Sequence, residues 1–357
     1  MADGLPSGRR QGMKIRNLLI VLLAVVFCLS GCTPEKETGE QVVETVRAPR
    51  FALVVKDVTN PYMSHMYAGF ESACAELGAQ CVMAGPESLS AEGQADSIEA
   101  LIDEGVDAIA VTANDREVLS AALSRAIDAG IKVVSLDSSV NVSDRMVHIQ
   151  QAAPDILGRV LIQAAREMIK GAGKVAILTT TQSAPNQSLW VSWILQEVSE
   201  NPDNYSDIEI VDIAYGMDEY DASRSETKRL METYPDLDII IAPTTVGIRA
   251  ASEVIREAGS DVLVTGLGLP SDMCEFVLDG ICPWMYLWNP IDVGYISAYT
   301  CNALVAGEIT GKEGEILTAG KLGDKRIAPS ADGGTEIVVG NPYMFDAENV
   351  SVWKAIF

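Results

Sequence analysis

The residues of this chain that could do chemistry fall into short clusters, and each cluster follows an apolar run that reads as a β-strand. Lys56 ends the run 51–55, with Asn60-Pro61-Tyr62 just beyond it. Asp115 follows the run 107–113, and Asp137 follows 131–136. Later in the chain Asn186 and Gln187 come after 174–181, Pro243 and Thr245 after 236–242, and Trp288 with Asn289 after 283–287. The chain has only two histidines, His65 and His148, too isolated for a metal site or a triad. No zinc spacing occurs among the cysteines, so no metal and no cofactor are expected. This inventory suits a polyhydroxylated ligand. Planar carboxylate and amide groups take neighbouring hydroxyls in pairs. A Lys or Asp adds a charge-assisted bond, roughly twice as strong as a neutral one. An aromatic ring covers the apolar face of a sugar. Hydrolysis or group transfer would want a nucleophile beside a base, or carboxylates set as an acid–base pair, and neither is visible. The expectation is a binding protein, not an enzyme.

Each candidate also has a purely structural explanation. Lys56 can cap a sheet end, and Asn60-Pro61-Tyr62 can be a turn that happens to carry an aromatic. Asp115 precedes a helix and Asp is a good N-cap. Asp137 can cap a turn, Asn186 and Gln187 can cap the helix from Ser188, and Trp288 can be core.

The elements that must position these residues alternate regularly. After strand 51–56 come helix 64–78, a strand from Gln80, helix 90–105, strand 107–113, a helix from Arg116 and strand 131–138. The pattern restarts with helix 154–171 and continues to a strand at 261–268, with a helix at 271–279, a strand at 283–288, a helix at 292–306 and mixed short strands after them. Such alternation gives parallel sheets with helices on both faces: an α/β chain with two doubly wound lobes. In open parallel sheets ligands bind beyond the carboxyl ends of the strands, which is where the clusters lie. GEITGKEG (307–314) lacks the spacing and the preceding strand of a phosphate loop.

The N-terminus is different. LLIVLLAVVFCLSGC (18–32) follows Lys14 and Arg16. Its apolar run is shorter than the roughly 20 residues that a spanning helix needs. A basic start, a short apolar centre and a small-residue exit describe a secretory signal peptide over residues 1–31. Residues 32–49 are rich in Pro, Gly and Glu and read as a flexible stalk. A net charge of −24 repels phosphate backbones and anionic lipid, so nucleic-acid binding is not expected. Cys74, Cys81, Cys274, Cys282 and Cys301 follow the stalk, and export permits disulfides among them. Cys74 with Cys81, or Cys274 with Cys282, are candidate pairs, and burial as small apolar side chains is the alternative.

Leu29-Ser30-Gly31-Cys32 resembles a bacterial lipobox, in which Cys32 takes a diacylglycerol and tethers the protein to the bilayer. Together with VVKDVTNPYM, VTANDREVL, PNQSLWVSW, IIAPTTVGIRAA, TGLGLPSDM and LWNPIDVGY, it makes the chain resemble the type I periplasmic solute-binding proteins of sugar ABC transporters. Within them it is similar to the rhamnose-binding subgroup, with the autoinducer-2 receptor as a relative. The resemblance covers residues 50–357. It implies ligand contacts from Lys56, Asp115, Asn186, Gln187, Pro243 and Thr245. Asn186, Thr245 and Asn289 depart from that receptor, which has Asp, Ala and Asp there, and are similar to the rhamnose binders. It also implies three crossovers, at 146–151, 287–289 and 312–329. One lobe then comprises 50–145 with 290–311, and the other 152–286 with 330–357. The implied protein is an extracytoplasmic, lipid-anchored monomer that closes a hinge on a rhamnose-like monosaccharide and delivers it to an ABC permease with a separate ATPase. The alternative is a receptor for autoinducer-2 or another sugar that feeds a sensor kinase. Sugar-responsive repressors share the α/β core, but carry a basic helix-turn-helix where this chain has its leader and acidic stalk.

Overall fold

Runs such as Phe51–Val55 have no polar position on either side of the alternation, the pattern of strands covered on both faces. The computed structural model describes residues 47–357, and the leader 1–31, Cys32 and residues 33–46 lie outside the described residues. The elements run β1 (Arg50–Val54), α1 (Pro61–Leu77), β2 (Gln80–Ala84), α2 (Ala91–Asp103), β3 (Ala108–Val111), α3 (Arg116–Asp128), β4 (Lys132–Leu136) and β5 (Val147–Gln150). There follow α4 (Pro154–Met168), β6 (Gly173–Thr179), α5 (Pro185–Glu200), the short α6 (Pro202–Tyr205), β7 (Ile208–Tyr215), α7 (Tyr220–Thr233), β8 (Leu237–Ala242), α8 (Thr245–Ala258), β9 (Leu263–Gly266), α9 (Pro270–Leu278), β10 (Trp284–Leu287) and α10 (Pro290–Ala306). The chain ends with β11 (Ile316–Thr318), β12 (Asp324–Arg326), β13 (Ala328–Pro329), β14 (Thr335–Val338), β15 (Tyr343–Asp346) and α11 (Val350–Trp353).

The first sheet has the order β13-β14-β5-β4-β3-β1-β2 and is parallel except for the β13–β14 pair. Phe51 and Leu53 of β1 join Met66 and Phe70 of α1 and Tyr295 of α10 in one core cluster. Ala52 and Val54 join Ile98 of α2 and Leu119 and Leu123 of α3 in another. The strand alternation is thus used twice, once on each face. The second sheet, β7-β6-β8-β9, is wholly parallel, and its helices pack as α4 on α5 and α7 on α8. A single parallel bridge, Leu267 to Tyr286, leads on to β10, which pairs antiparallel with β15.

Three boundaries differ from the sequence-based expectation. The segment 330–357 is divided between the lobes: β14 pairs in parallel with β5 of the first sheet, while β15 pairs with β10 beside the second. The last crossing therefore falls at 339–342 rather than at 312–329. A four-residue strand, TEIV, carries too little pattern to name its sheet, and long-range pairing decides it. Residues 146–151 are likewise not a bare linker, because β5 is a full member of the first sheet. The fold also begins before residue 50: Arg47 pairs with Asp107 at 2.9 Å, and the Gln80 amide donates to the Pro49 carbonyl at 2.8 Å. Among the described residues no helix is long and apolar enough to cross a membrane. The five cysteines after the stalk are free thiols.

Candidate functional site

The carboxyl ends of both sheets face one cleft, and helix starts bring the side chains to it. Asn60 caps α1, its Oδ1 accepting the Tyr62 amide at 3.0 Å with Pro61 in the first turn, so the segment is a helix start and not a free turn. Pro185 opens α5 and sets Asn186 and Gln187 on its first turn. Thr244 caps α8. The cleft closes on a cavity of about 40 Å³. Lys56, Asn60, Tyr62, Asp137, Asn186, Gln187, Pro243, Thr245 and Trp288 all line it.

Asp137 is the centre. Its Oδ2 accepts from Thr112 Oγ1 at 3.0 Å and from Asn186 Nδ2 at 3.1 Å. Its Oδ1 accepts from Gln151 Nε2 at 3.1 Å and Tyr62 OH at 3.4 Å. Lys56 Nζ lies 3.9 Å from Asp137 and donates to Asn186 Oδ1 at 3.3 Å. Gln187 is held by its own loop, Oε1 accepting from Thr179 Oγ1 at 2.6 Å and from the Thr180 amide at 3.0 Å. The walls are aromatic: Trp288 Nε1 donates to Tyr62 OH at 2.7 Å, and the Trp190 and Trp288 rings lie 5.8 Å apart.

Burial governs the charges. It pulls the Lys56 ammonium down from its ordinary value, against the attraction of Asp137 and Asp218. It holds the Asp137 carboxyl above the usual carboxylate range, against Lys56 and the donors around it. The Tyr62 phenol is raised for the same reason. A buried pair of this kind is retained for what it positions, since its desolvation offsets much of its attraction. On the hinge side the hydrogen-bonded network runs on to His148. Its ring contacts Ser135 Oγ at 2.8 Å and Gln150 Oε1 at 3.0 Å, and Gln150 donates to Gln151 Oε1 at 3.2 Å, which in turn reaches Asp137. Burial first, then Arg145, pushes His148 down to about 3, so it stays neutral.

Two expected residues fall elsewhere. Asp115 caps α3, its Oδ1 accepting the amides of Glu117 at 2.9 Å and Val118 at 3.3 Å, and it lies at the mouth of the cleft outside the inner cavity. Asn289 caps α10, accepting the Ile291 amide at 3.0 Å. Both follow strands, but both precede helices, and helix amides take one side-chain oxygen of each. Conversely, the sequence reading passed over Asp218. It is half-buried, accepts from Asn60 Nδ2 at 3.2 Å and from Thr244 Oγ1, and is held above the carboxylate range mainly by desolvation. Its signal was its place, three residues after β7. Met63, Trp190 and Thr244 also line the cavity. Left-handed backbone marks the site: Asp137 (φ 56°), Met217 (φ 55°) and Asp218 (φ 50°) are three of the four non-glycine residues with positive φ among the described residues. Such conformations persist where the surroundings over-determine them, commonly at ligand clamps. Among the described residues no group of three or more His, Cys, Asp or Glu is set to hold a metal.

Two α/β lobes with converging strand ends, joined at a hinge and lined by amides, carboxylates and aromatics, define a two-lobed binding protein of the type I class. Residues 51–309 match the periplasmic binding protein domain family, and the chain belongs to that family. It is similar to an ABC transporter solute-binding protein from Clostridium phytofermentas solved with bound L-rhamnose: 36% identity, TM-score 0.85, covering 87% of this chain and 99% of that one. LsrB from Clostridium saccharobutylicum in complex with AI-2 shares the fold, with a TM-score of 0.80 at 20% identity over 85% of this chain and 99% of that one. The ribose import binding protein of Bacillus subtilis is 23% identical over 81% of this chain and 93% of its own length.

Proposed function

We propose that this chain is the extracytoplasmic solute-binding component of an ABC sugar importer, that it binds L-rhamnose between its lobes, and that the closed form delivers the sugar to a permease powered by a separate ATPase. Acylation of Cys32 would tether it to the membrane through the stalk. The observation that carries the proposal is the meeting of Lys56 and Asp137 from one lobe with Asn186 from the other within hydrogen-bond or ion-pair reach. These groups form a set of donors and acceptors that vicinal hydroxyls can enter, beside the rings of Trp288 and Trp190. The buried Nε1–H of Trp190 has no hydrogen-bond partner among the described residues, and a sugar hydroxyl would satisfy it. The rhamnose-bound relative at 36% identity supports the choice of sugar, as does Asn rather than Asp at position 186. The ribose named for the Bacillus subtilis relative makes ribose the first competitor to test.

The test is a thermal-shift and calorimetry panel of L-rhamnose, fucose, ribose, galactose and autoinducer-2 on the purified chain. L-rhamnose should bind at micromolar or tighter affinity. Asp137→Ala should weaken it at least tenfold, as expected when a charge-assisted acceptor is lost. Absence of heat and of any thermal shift with every deoxysugar would remove the proposal.

A further inference from the structure

The inner cavity is not the only space between the lobes. A second cavity of about 190 Å³ adjoins it, and the two share Lys56 and Asp218 in their linings. A water needs roughly 10–15 Å³ of such space, and the outer chamber is by the same measure several times larger than the inner. Both lobes build the outer chamber. Ser90 and Asp115 come from the first, at the N-caps of α2 and α3, and Thr180 and Met217 from the second. Its lining mixes polar side chains with apolar ones, and each side adds an apolar lip: Val118 and Met217 are 39% and 46% exposed. Met217 is held there by a left-handed backbone, its amide donating to the Thr180 carbonyl at 3.0 Å. That conformation is uncommon for a bulky residue, and here it presents an apolar side chain at the cleft mouth. Thr180 adds an independent sign. Its Oγ1 is buried yet has no hydrogen-bond partner among the described residues, and buried hydroxyls in native proteins nearly always have one.

We infer that the outer chamber is a second sugar subsite, and that the preferred ligand is a disaccharide whose deoxyhexose ring enters the inner clasp while its glycosidic partner fills the mouth. This rests on the sugar-binding role proposed above and deepens it. Thr180 Oγ1 would bond a hydroxyl of the outer ring, the free oxygen of the Asp115 carboxylate would accept from another, and Val118 and Met217 would cover its C–H faces.

Calorimetry of the purified full chain, in mild detergent, with L-rhamnose and with a disaccharide of two L-rhamnose units tests this. The disaccharide should bind at least tenfold tighter. Thr180→Val removes only an unpartnered hydroxyl and keeps the shape, so it should leave rhamnose affinity and thermal stability unchanged while abolishing most of the disaccharide's gain. Val118→Trp, which fills the mouth from the helix surface, should do the same. If rhamnose binds and the disaccharide binds no better, or if both variants weaken the two sugars equally, the second subsite is refuted and the monosaccharide proposal stands. If neither sugar binds, the proposed function falls and the subsite with it.

Discussion

Asp137 and Asp218 share one buried ammonium, and their surroundings divide the labour between them. Asp137 collects donors from Thr112, Tyr62, Gln151 and Asn186 with Lys56 beside it, which favours the ionised form. Asp218 has two neutral donors, Asn60 and Thr244, and faces the negative charges of Asp137 and Asp57. Both carboxyls are raised, first by burial, but Asp218 is the one with least reason to stay charged when the cleft is shut. Opening would expose it to water and return it toward the ordinary value of about 3.9. Between that value and its raised one, the closed form holds a proton that the open form has lost. Acid therefore favours closure, and with it sugar binding. Affinity for L-rhamnose should strengthen as pH falls through the raised value of Asp218 toward its ordinary one, by at most about tenfold per unit for one proton. Asp218→Asn should flatten that profile. A flat wild-type profile in calorimetry, or a slope that survives in the variant, would show that Asp218 does not titrate with closure. At this scale the sequence was informative but ambiguous. It placed Lys56, Asp137 and Asn186 beyond strand ends, where they lie together. It weighted Asp115 equally, because an Asp after a strand and before a helix can face a cleft or cap the helix, and only the path of the backbone decides between them.

The elements hold these residues through the pairing of α1 with α10, whose N-termini present Tyr62 and Trp288 to the cavity from one side. The two helices approach closely enough that glycine is required at the contact. A Cβ on Gly69 would stand 1.8 Å from the Ile291 carbonyl oxygen, and one on Gly294 would stand 1.8 Å from that of Met66. The neighbours are backbone atoms and cannot swing aside, so the helices would have to part. Overpacking of this kind costs typically 1–3 kcal/mol, occasionally more. Gly69→Ala should lower thermal stability by at least that amount and weaken sugar binding as Tyr62 and Trp288 lose their register. The double variant with Gly294→Ala should cost less than the sum, since helices already parted admit the second methyl. Two fully additive losses in denaturant melts would mean that the helices do not respond as a unit. Most elements were legible in the sequence, because buried parallel strands and capped helices carry long, unbroken patterns. The region after α10 was not. Strands of two to four residues have too few positions to show a period, and β14 finds its sheet by pairing with a strand 188 residues earlier, Ile337 against Ile149 and Val338 against Gln150.

At the scale of the whole molecule the question is what closes the lobes. Three side-chain bonds cross between them at the cavity: Lys56 to Asn186, Asn186 to Asp137 and Asn60 to Asp218. A neutral bond contributes about 0.5–1.5 kcal/mol net and one to a charged group about 1.5–3, so together they offset only part of the ordering that closure demands. The inner chamber of about 40 Å³ is also too small to hold a sugar ring while these bonds stand. On the proposed reading the lobes part before binding, and the ligand shifts the open–closed balance by its differential affinity for the closed form. The bond from Asn60 to Asp218 can be removed alone. Asn60→Ser keeps an oxygen to cap α1 but is too short to span the cleft. In small-angle scattering, saturating L-rhamnose should reduce the radius of gyration of the wild-type chain. Asn60→Ser without sugar should be the more expanded of the two unliganded proteins, and its affinity should fall about fivefold, the equivalent of one ordinary hydrogen bond. The acidic surface, with a net charge of −24 over the chain, keeps particles apart at the concentrations such scattering needs. Identical scattering with and without a sugar that calorimetry shows to be bound would mean that the cleft fills without lobe motion, and that the cross-cleft bonds are fixed parts of the fold rather than the contacts a ligand replaces.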